Sequence, residues 1–197
     1  MDIPKKNAKL QTVVNFYLKS RRFAKLSGST QKDYEYQLGV VCNTVVEGKR
    51  LGDYRLKSIK VRHLTQAYET WTETGIRSAN YRRNVLSAAW KNAMRYDVMS
   101  HNPVSLIKAE ASKDRRVFWT RDQISAFLST AYSNYSWRSI GLILHMAYDW
   151  GQRLGDMRLL TWDALDLDGC RLDITQSKRN AEVHLPIASD LCKMLQQ

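Results

Sequence analysis

A polar, charged and aperiodic stretch, KAEASKDRRVF at residues 108–118, divides the 197-residue sequence into two segments of different character. No helical stripe or strand alternation can be carried across it, so the chain must build two modules rather than one continuous core. Charge divides at the same place. Residues 1–118 hold 23 Lys+Arg against 10 Asp+Glu, a net of +13, and residues 119–197 hold 8 against 9, a net of −1. A basic module joined to a near-neutral one points to a dedicated polyanion-binding part. Positive charge that only maintains solubility is the alternative reading.

The first segment reads as helices throughout. AKLQTVVNFYLKSRRF spaces Leu10, Val13, Val14, Tyr17 and Leu18 as one helical face, with Lys19, Arg21 and Arg22 at its C-terminal end. Ser29 or Thr30 can cap a second helix, QKDYEYQLGVVCNTVV, and EGKRLGDY follows as a turn-rich connector. KVRHLTQAYETWTETG forms a third helix stopped by Gly75. SANYRRNVLSAAWKNAMRYDVM forms a fourth, striped by Val85, Leu86, Ala89, Ala93 and Met94 and ended by Pro103, which disfavours helix at Asn102.

After residue 118, Thr120 and Gln123 form a capping-box start for WTRDQISAFLSTAY. The apolar WRSIGLILHMAYDW is expected to be a buried helix, interrupted at Gly151. A glycine there can take the left-handed conformation that closes a helix. Residues 154–160 then resume as a short helix, and Arg153 projects from the turn between the two. Its planar fork suits a tetrahedral phosphate. Asp156 can pair with Arg153 or Arg158, and His145 with Asp149. DALDLDGCRLDITQSKRNAEVHLPI alternates around Asp-Gly and SKRNAE, which predicts two or three short antiparallel strands.

Other classes are disfavoured. Cys42, Cys170 and Cys192 are odd in number and lack CxxC spacing, which argues against a disulfide framework or zinc site and fits three structural cysteines in a reducing cytoplasm. No metal or cofactor is expected. The N-terminus has no apolar h-region, no run is long enough to span a bilayer, and neither a membrane nor a small-molecule substrate is an expected partner. GxSxG, Walker, GxGxxG and HExxH patterns are absent.

The order of apolar helix, G-x-R-x-x-D, a short helix ending LLTW, the DALDLDGCRLDITQSK segment and a turn into VHLPI resembles the tyrosine recombinase family, phage-type integrases in particular. In that family T-G-x-R-x-[SG]-[DE] precedes L-x-W-x-D-[IL] and a hairpin carrying a lysine. The matching residues are Gly151, Arg153, Gly155, Asp156, Leu160, Trp162, Asp163 and Leu165, then Gln176, Ser177 and Lys178, with Leu185 and Pro186 closing the hairpin. SANYRRNVLSAAWKNAMRYDVMSHNPV is similar to the last long helix of the family's core-binding domain. Trp150 stands where the family often has threonine.

The resemblance implies a mainly α fold with a small antiparallel β-hairpin or sheet. It places a four-helix, SAM-like core-binding domain over 1–107, a linker over 108–118 and the first part of an α+β catalytic domain over 119–197. It also implies double-stranded DNA as partner, self-association on DNA in the complete protein, and work in the cytoplasm of a bacterial or phage-infected cell. Arg153 would hold a phosphate oxygen, Lys178 would be the general acid, and Asp156 and Gly151 would support the site. Lys19, Arg21, Arg22, Arg77, Arg82, Arg83, Lys91, Arg95 and Arg179 are the DNA-binding candidates, with Asn80 and Asn84 as possible base readers. The family's H-x-x-R motif and nucleophilic tyrosine belong after the hairpin, whereas the last tyrosine among these residues is Tyr148. The expectation is therefore an integrase fragment, truncated in its catalytic domain and inactive alone. A non-catalytic DNA-binding protein of the same fold is the alternative, and a helical protein-interaction module is a third reading.

Overall fold

The computed structural model describes residues 2–112 and 117–196. The chain divides into two compact units, Met1–Arg115 and Arg116–Gln197. Residues 113–116 of the expected linker lie outside the described residues. The protein is mainly helical with small antiparallel sheets.

In the first unit the helices are α1 (Leu10–Leu18), α2 (Arg21–Ala24), α3 (Gly28–Asn43), α4 (Val61–Glu73) and α5 (Ile76–Met94). The helix expected to run through Arg22 breaks at Ser20, whose hydroxyl accepts the Phe23 N–H at 3.2 Å and starts α2. Arg21 and Arg22 therefore open a new turn instead of closing α1. Ser27, rather than Ser29 or Thr30, caps α3 by accepting the Thr30 N–H at 3.4 Å.

The segment is also not helical throughout. Thr44 ends α3, and the hairpin β1 (Val45–Val46) and β2 (Lys49–Arg50) pairs Val45 with Arg50 and Val46 with Lys49. Glu47 and Gly48, at φ 49° and 74°, supply the two left-handed positions of a tight hairpin turn. Val46 points into the core, and the Tyr54 hydroxyl donates to its carbonyl at 2.7 Å.

Helix α5 stops well before Pro103. Asp97 turns left-handed at φ 54°, and the Asp97 and Val98 N–H groups reach back to the Met94 and Ala93 carbonyls at 3.1 Å each. That is a Schellman ending, and it satisfies the carbonyls without proline. Pro103 instead opens a 3-10 turn, Pro103–Leu106, capped by the Asn102 side chain. The α5 stripe of Val85, Leu86, Ala89, Trp90 and Ala93 is buried against Leu10, Val14, Tyr17, Leu38, Leu64 and Trp71.

In the second unit Thr120 and Gln123 form the expected capping box on α6 (Arg121–Ser133), with bonds of 3.3 and 2.9 Å. A 3-10 turn leads into α7 (Arg138–Trp150), followed by α8 (Leu154–Arg158), β3 (Leu165–Asp166), β4 (Arg171–Thr175), β5 (Glu182–Pro186) and α9 (Ser189–Leu195). The three strands form one antiparallel sheet in the order β3-β4-β5, with Leu172 opposite both Leu165 and Leu185.

Helix α7 is less buried than its composition predicts. Gly141, Met146 and Trp150 are buried, while Ile140 and Tyr148 are half exposed. Its apolar residues surround the helix, and the core of this unit covers only one side. A second correction concerns the cysteines. Cys170 and Cys192 are joined in a disulfide, with Cα atoms 6.0 Å apart. Cys170 sits in a left-handed turn position before β4, and α9 packs Cys192 against it. A spacing of 22 residues has no sequence signature of such a pairing. Cys42 is free and buried in the first unit, where desolvation pushes its thiol up to about 11.

Candidate functional site

Gly151 closes α7 in the left-handed conformation, φ 60° and ψ 24°. A β-carbon there would meet nothing within 4 Å, so the requirement for glycine is conformational and not spatial. The chain then returns to extended backbone at Arg153, the N-cap of α8, whose carbonyl accepts the Asp156 and Met157 N–H groups at 2.9 and 3.1 Å. The arginine backbone is thereby fixed between two helices.

Its side chain is held as well. Arg153 Nη1 lies 3.6 Å from Asp156 Oδ2 and donates to Gln176 Oε1 at 3.4 Å. Gln176 Nε2 donates to Gln152 Oε1 at 2.7 Å, and Gln152 Nε2 donates to the Trp150 carbonyl at 3.0 Å. On the far side of the carboxylate, Asp156 Oδ1 accepts the Ser177 N–H at 3.3 Å and the Ser177 hydroxyl. The Ser177 hydroxyl bond is the main reason the Asp156 carboxyl lies below the usual range. Burial opposes it, and the Ser177 N–H and Arg153 assist. Asp156 is buried, whereas the Arg153 side chain remains 39% exposed and presents the rest of its fork to solvent.

Lys178 follows Ser177 on the turn between β4 and β5, which is closed by Gln176 N–H to the Ala181 carbonyl and Asn180 N–H to the Gln176 carbonyl, both 2.8 Å. The lysine is exposed and has no hydrogen bond or ion pair among the described residues. Ser177 thus ties the lysine turn to the carboxylate that holds the arginine. A cleft of about 220 Å³ opens beside Asp156 and Ser177, walled by Leu160, Thr161, Ile174 and Thr175. Gln152 was missed in the sequence, because a glutamine in a helix break carries no signal until its partner across the sheet is known. His145 is structural, bonded to the Tyr132 hydroxyl at 3.0 Å and 3.7 Å from Asp149.

Residues 118–197, which contain this whole arrangement, match the model of the phage integrase family. That second unit is similar to members of the phage integrase family. Curated relatives include the integrase of Enterobacteria phage 434, 28% identical over 137 residues, which span 69% of this chain and 37% of that protein. The integrase of Escherichia phage lambda is 28% identical over 139 residues, spanning 70% of this chain and 38% of that protein. The chain therefore spans less than two-fifths of the length of these relatives. Among solved structures, the fold is similar to a lambda integrase tetramer bound to a Holliday junction, with TM-score 0.80, 22% identity, and coverage of 95% of this chain and 54% of that one. A Tn1549 transposon integrase bound to a circular-intermediate DNA gives TM-score 0.75, 16% identity, and coverage of 95% and 64%.

The basic candidates of the first unit fall into two groups. Lys19, Arg21, Arg22, Arg77, Lys91 and Arg95 are exposed, as is Arg179 in the second unit. Arg82 and Arg83 are half-buried and engaged within their own unit. Arg82 donates to Gln37 Oε1 and Thr74 Oγ1 at 3.1 Å each, and Arg83 donates to the Ile107 carbonyl at 2.7 Å and to Asn84 at 3.0 Å. Asn80 is engaged too. Its amide accepts from the Tyr68 hydroxyl at 2.6 Å and donates to the Glu110 carbonyl at 2.8 Å, while the Glu110 N–H reaches the same hydroxyl at 2.9 Å. That closed triangle fixes the orientation of the Asn80 amide and uses one of its two N–H donors. No helix among the described residues is long and apolar enough to cross a membrane.

Proposed function

We propose that residues 1–197 form the core-binding part and the leading catalytic part of a phage-type integrase. In complete form the enzyme would cleave and rejoin duplex DNA through a tyrosine joined to the 3′ phosphate. The single observation that carries this reading is the fixing of Arg153 by Asp156, with Ser177 tying the Lys178 turn to the same carboxylate. An arginine with one nitrogen held and the rest of its fork exposed is prepared to bind the non-bridging oxygens of a phosphodiester. It would stabilise the charge that grows on them as the phosphorus is attacked. Lys178 would give its proton to the departing 5′ oxygen. Asp156 acts by positioning, since a carboxylate held ionised by a hydroxyl, an N–H and an arginine cannot serve as the acid.

The exposed cations Lys19, Arg21, Arg22, Lys91, Arg95 and Arg179 would contact phosphate, giving affinity that falls steeply with salt. Arg77 joins them as an exposed candidate. Arg82 and Arg83 belong with the residues that shape α5. The similar lambda integrase structures, described as a dimer on a core site and a tetramer on a Holliday junction, support self-association on DNA for the complete protein.

The nucleophilic tyrosine of the family has no counterpart in residues 1–197, whose last tyrosine, Tyr148, lies upstream of Arg153. The 197 residues are therefore expected to bind duplex DNA in a mobility-shift titration, more tightly at 50 than at 200 mM salt, by roughly a thousandfold for six phosphate contacts. No covalent adduct should form with a nicked suicide substrate. A tyrosine-linked adduct would overturn the inactivity, and salt-independent binding would overturn the DNA reading. When the chain is continued with the family's downstream motifs, Arg153→Ala should lower cleavage by on the order of a hundredfold or more while most DNA affinity remains. Equal loss of both would make Arg153 structural.

A further inference from the structure

The cations of the first unit that the function above does not use gather on one face, built where the N-terminal segment pairs with the chain after the β1–β2 hairpin. Lys9 bridges Arg55 in antiparallel fashion. The Leu10 N–H meets the Tyr54 carbonyl at 3.0 Å, and the Leu56 N–H meets the Ala8 carbonyl at 2.9 Å. The Arg55 guanidinium also donates to the Asn7 carbonyl at 3.4 Å. These bonds make residues 7–10 and 54–56 one rigid strip. Two clefts border it. One, of about 450 Å³, is edged by Lys6, Lys57, His101 and Asp97 over Leu56, Ile59 and Val98. The other, of about 700 Å³, holds Lys9, Lys49, Asp53, Tyr54 and Arg55.

Three carboxylates, Glu47, Asp53 and Asp97, lie among these cations. Lys9 is paired with Asp53 and Arg62 with Glu47. Lys5, Lys6, Lys49, Arg50, Lys57 and Lys60 are exposed and have no carboxylate partner among the described residues. Lys49 lies over the Tyr54 ring, 5.1 Å from its centroid, which holds its ammonium at the rim of the second cleft.

The composition of the face decides between partners. Cores of protein interfaces are depleted in lysine and rest on buried aromatic anchors. Here lysine dominates, and the aromatic ring present is already covered by a lysine. A phosphate backbone, with one charge per ~1.7 Å of duplex, suits cations strung along a strip.

We propose that this face, made by residues 5–9, 49–60 and His101, binds the backbone of a second DNA duplex while the α5 cations hold the first. The proposal rests on the reading of the first unit as DNA-binding, and its test separates the two. Residues 1–197 are added to a bead-bound duplex and then offered a second, labelled duplex of another length. The wild-type chain retains the label. Lys6→Glu/Lys49→Glu/Lys57→Glu, three exposed positions whose change leaves the helical circular dichroism and melting unaltered, keeps the bead duplex and loses label retention about tenfold or more. Lys91→Ala/Arg95→Ala weakens the bead duplex instead. Retention of the bead duplex without label by the wild-type chain overturns the second surface alone. Undiminished label with the triple variant, as self-association would give, or a loss of the bead duplex in step with the label, as one continuous footprint would give, also overturns it. Binding of neither duplex overturns the DNA reading itself.

Discussion

The two units reach stability in different ways. The first closes a core that runs from Leu10 to Ile107 and takes side chains from every helix but a few turns, including the fully buried Trp90, Leu38 and Leu64. The second gathers Met146, Trp150, Met157, Leu172, Ile187, Leu191, Cys192 and Leu195, and leaves Phe118, Tyr135, Trp137, Ile140, Leu159 and Trp162 exposed. Burial of apolar area sets the scale of folding free energy. The first unit can therefore rest on packing alone, while the second leans on its disulfide and on the polar network around Asp156. The basic unit rests on packing, and the unit that holds the Arg153 cluster is held together by polar and covalent ties as well.

That contrast can be broken from either side. Trp90→Ala opens a large cavity in the first core and should cost about 3–5 kcal/mol, lowering the Tm of that unit in calorimetry while the transition of the second unit stays in place. Reducing the Cys170–Cys192 bond, which closes a loop of 22 residues, should cost the second unit on the order of 3 kcal/mol and leave the first unchanged. A first-unit shift on reduction would contradict the division. Gly151→Ala places a β-carbon on a left-handed residue and should cost about 1–2 kcal/mol, again in the second transition only.

Acid should sharpen the comparison further, with a smaller effect. Asp156 and Asp173 both titrate below the usual carboxylate range, through the Ser177 hydroxyl and through His184 respectively. A lowered folded pKa contributes stability that is present above the unfolded value near ~4 and is lost as pH falls through the folded one. The second unit should therefore lose Tm as pH drops below about 4, and Asp156→Asn should flatten that part of the curve. Among the described residues the first unit has one such carboxylate, Glu47, lowered mainly by its bond to Arg62, so its acid response should be shallower. Least of all, Lys91→Ala/Arg95→Ala should move the first Tm by less than about half a kcal/mol equivalent, while reducing the slope of log affinity against log salt by about 2.

Much of this was legible in the sequence where the signal is local. Periodicity gave α4 through α7, the Thr120–Gln123 spacing gave the capping box, and Gly151 marked the left-handed stop before Arg153. Failures came where local options compete. Ser20 and Ser27 each won a cap that the apolar period could not announce. Asp97 ended α5 ahead of Pro103, because a left-handed aspartate followed by inward-facing Val98 already satisfies the helix carbonyls. The Glu47–Gly48 hairpin is too short for alternation to register. The long-range partners were out of reach. Nothing local joins Cys170 to Cys192, and Arg82 on a helix surface looks solvent-facing until Gln37 and Thr74 are known to lie beside it. In the site, Arg153, Gln176 and Lys178 were readable as residues of a motif, but Gln152 and its bond to Gln176 were not.

That pair has a mechanical consequence. The Trp150 carbonyl, Gln152, Gln176 and Arg153 form a chain of donors and acceptors in which each amide can point only one way. Reversing one amide would set donor against donor or acceptor against acceptor at its neighbours. Reversing both would set the Gln176 amide N–H groups against Arg153 and the Gln152 oxygen against the Trp150 carbonyl, so neither amide flips. The end of a helix and the mouth of a hairpin are thereby coupled like gears with a single mesh. Misalignment between the guanidinium and the lysine turn is resisted by orientation, without any covalent link between them.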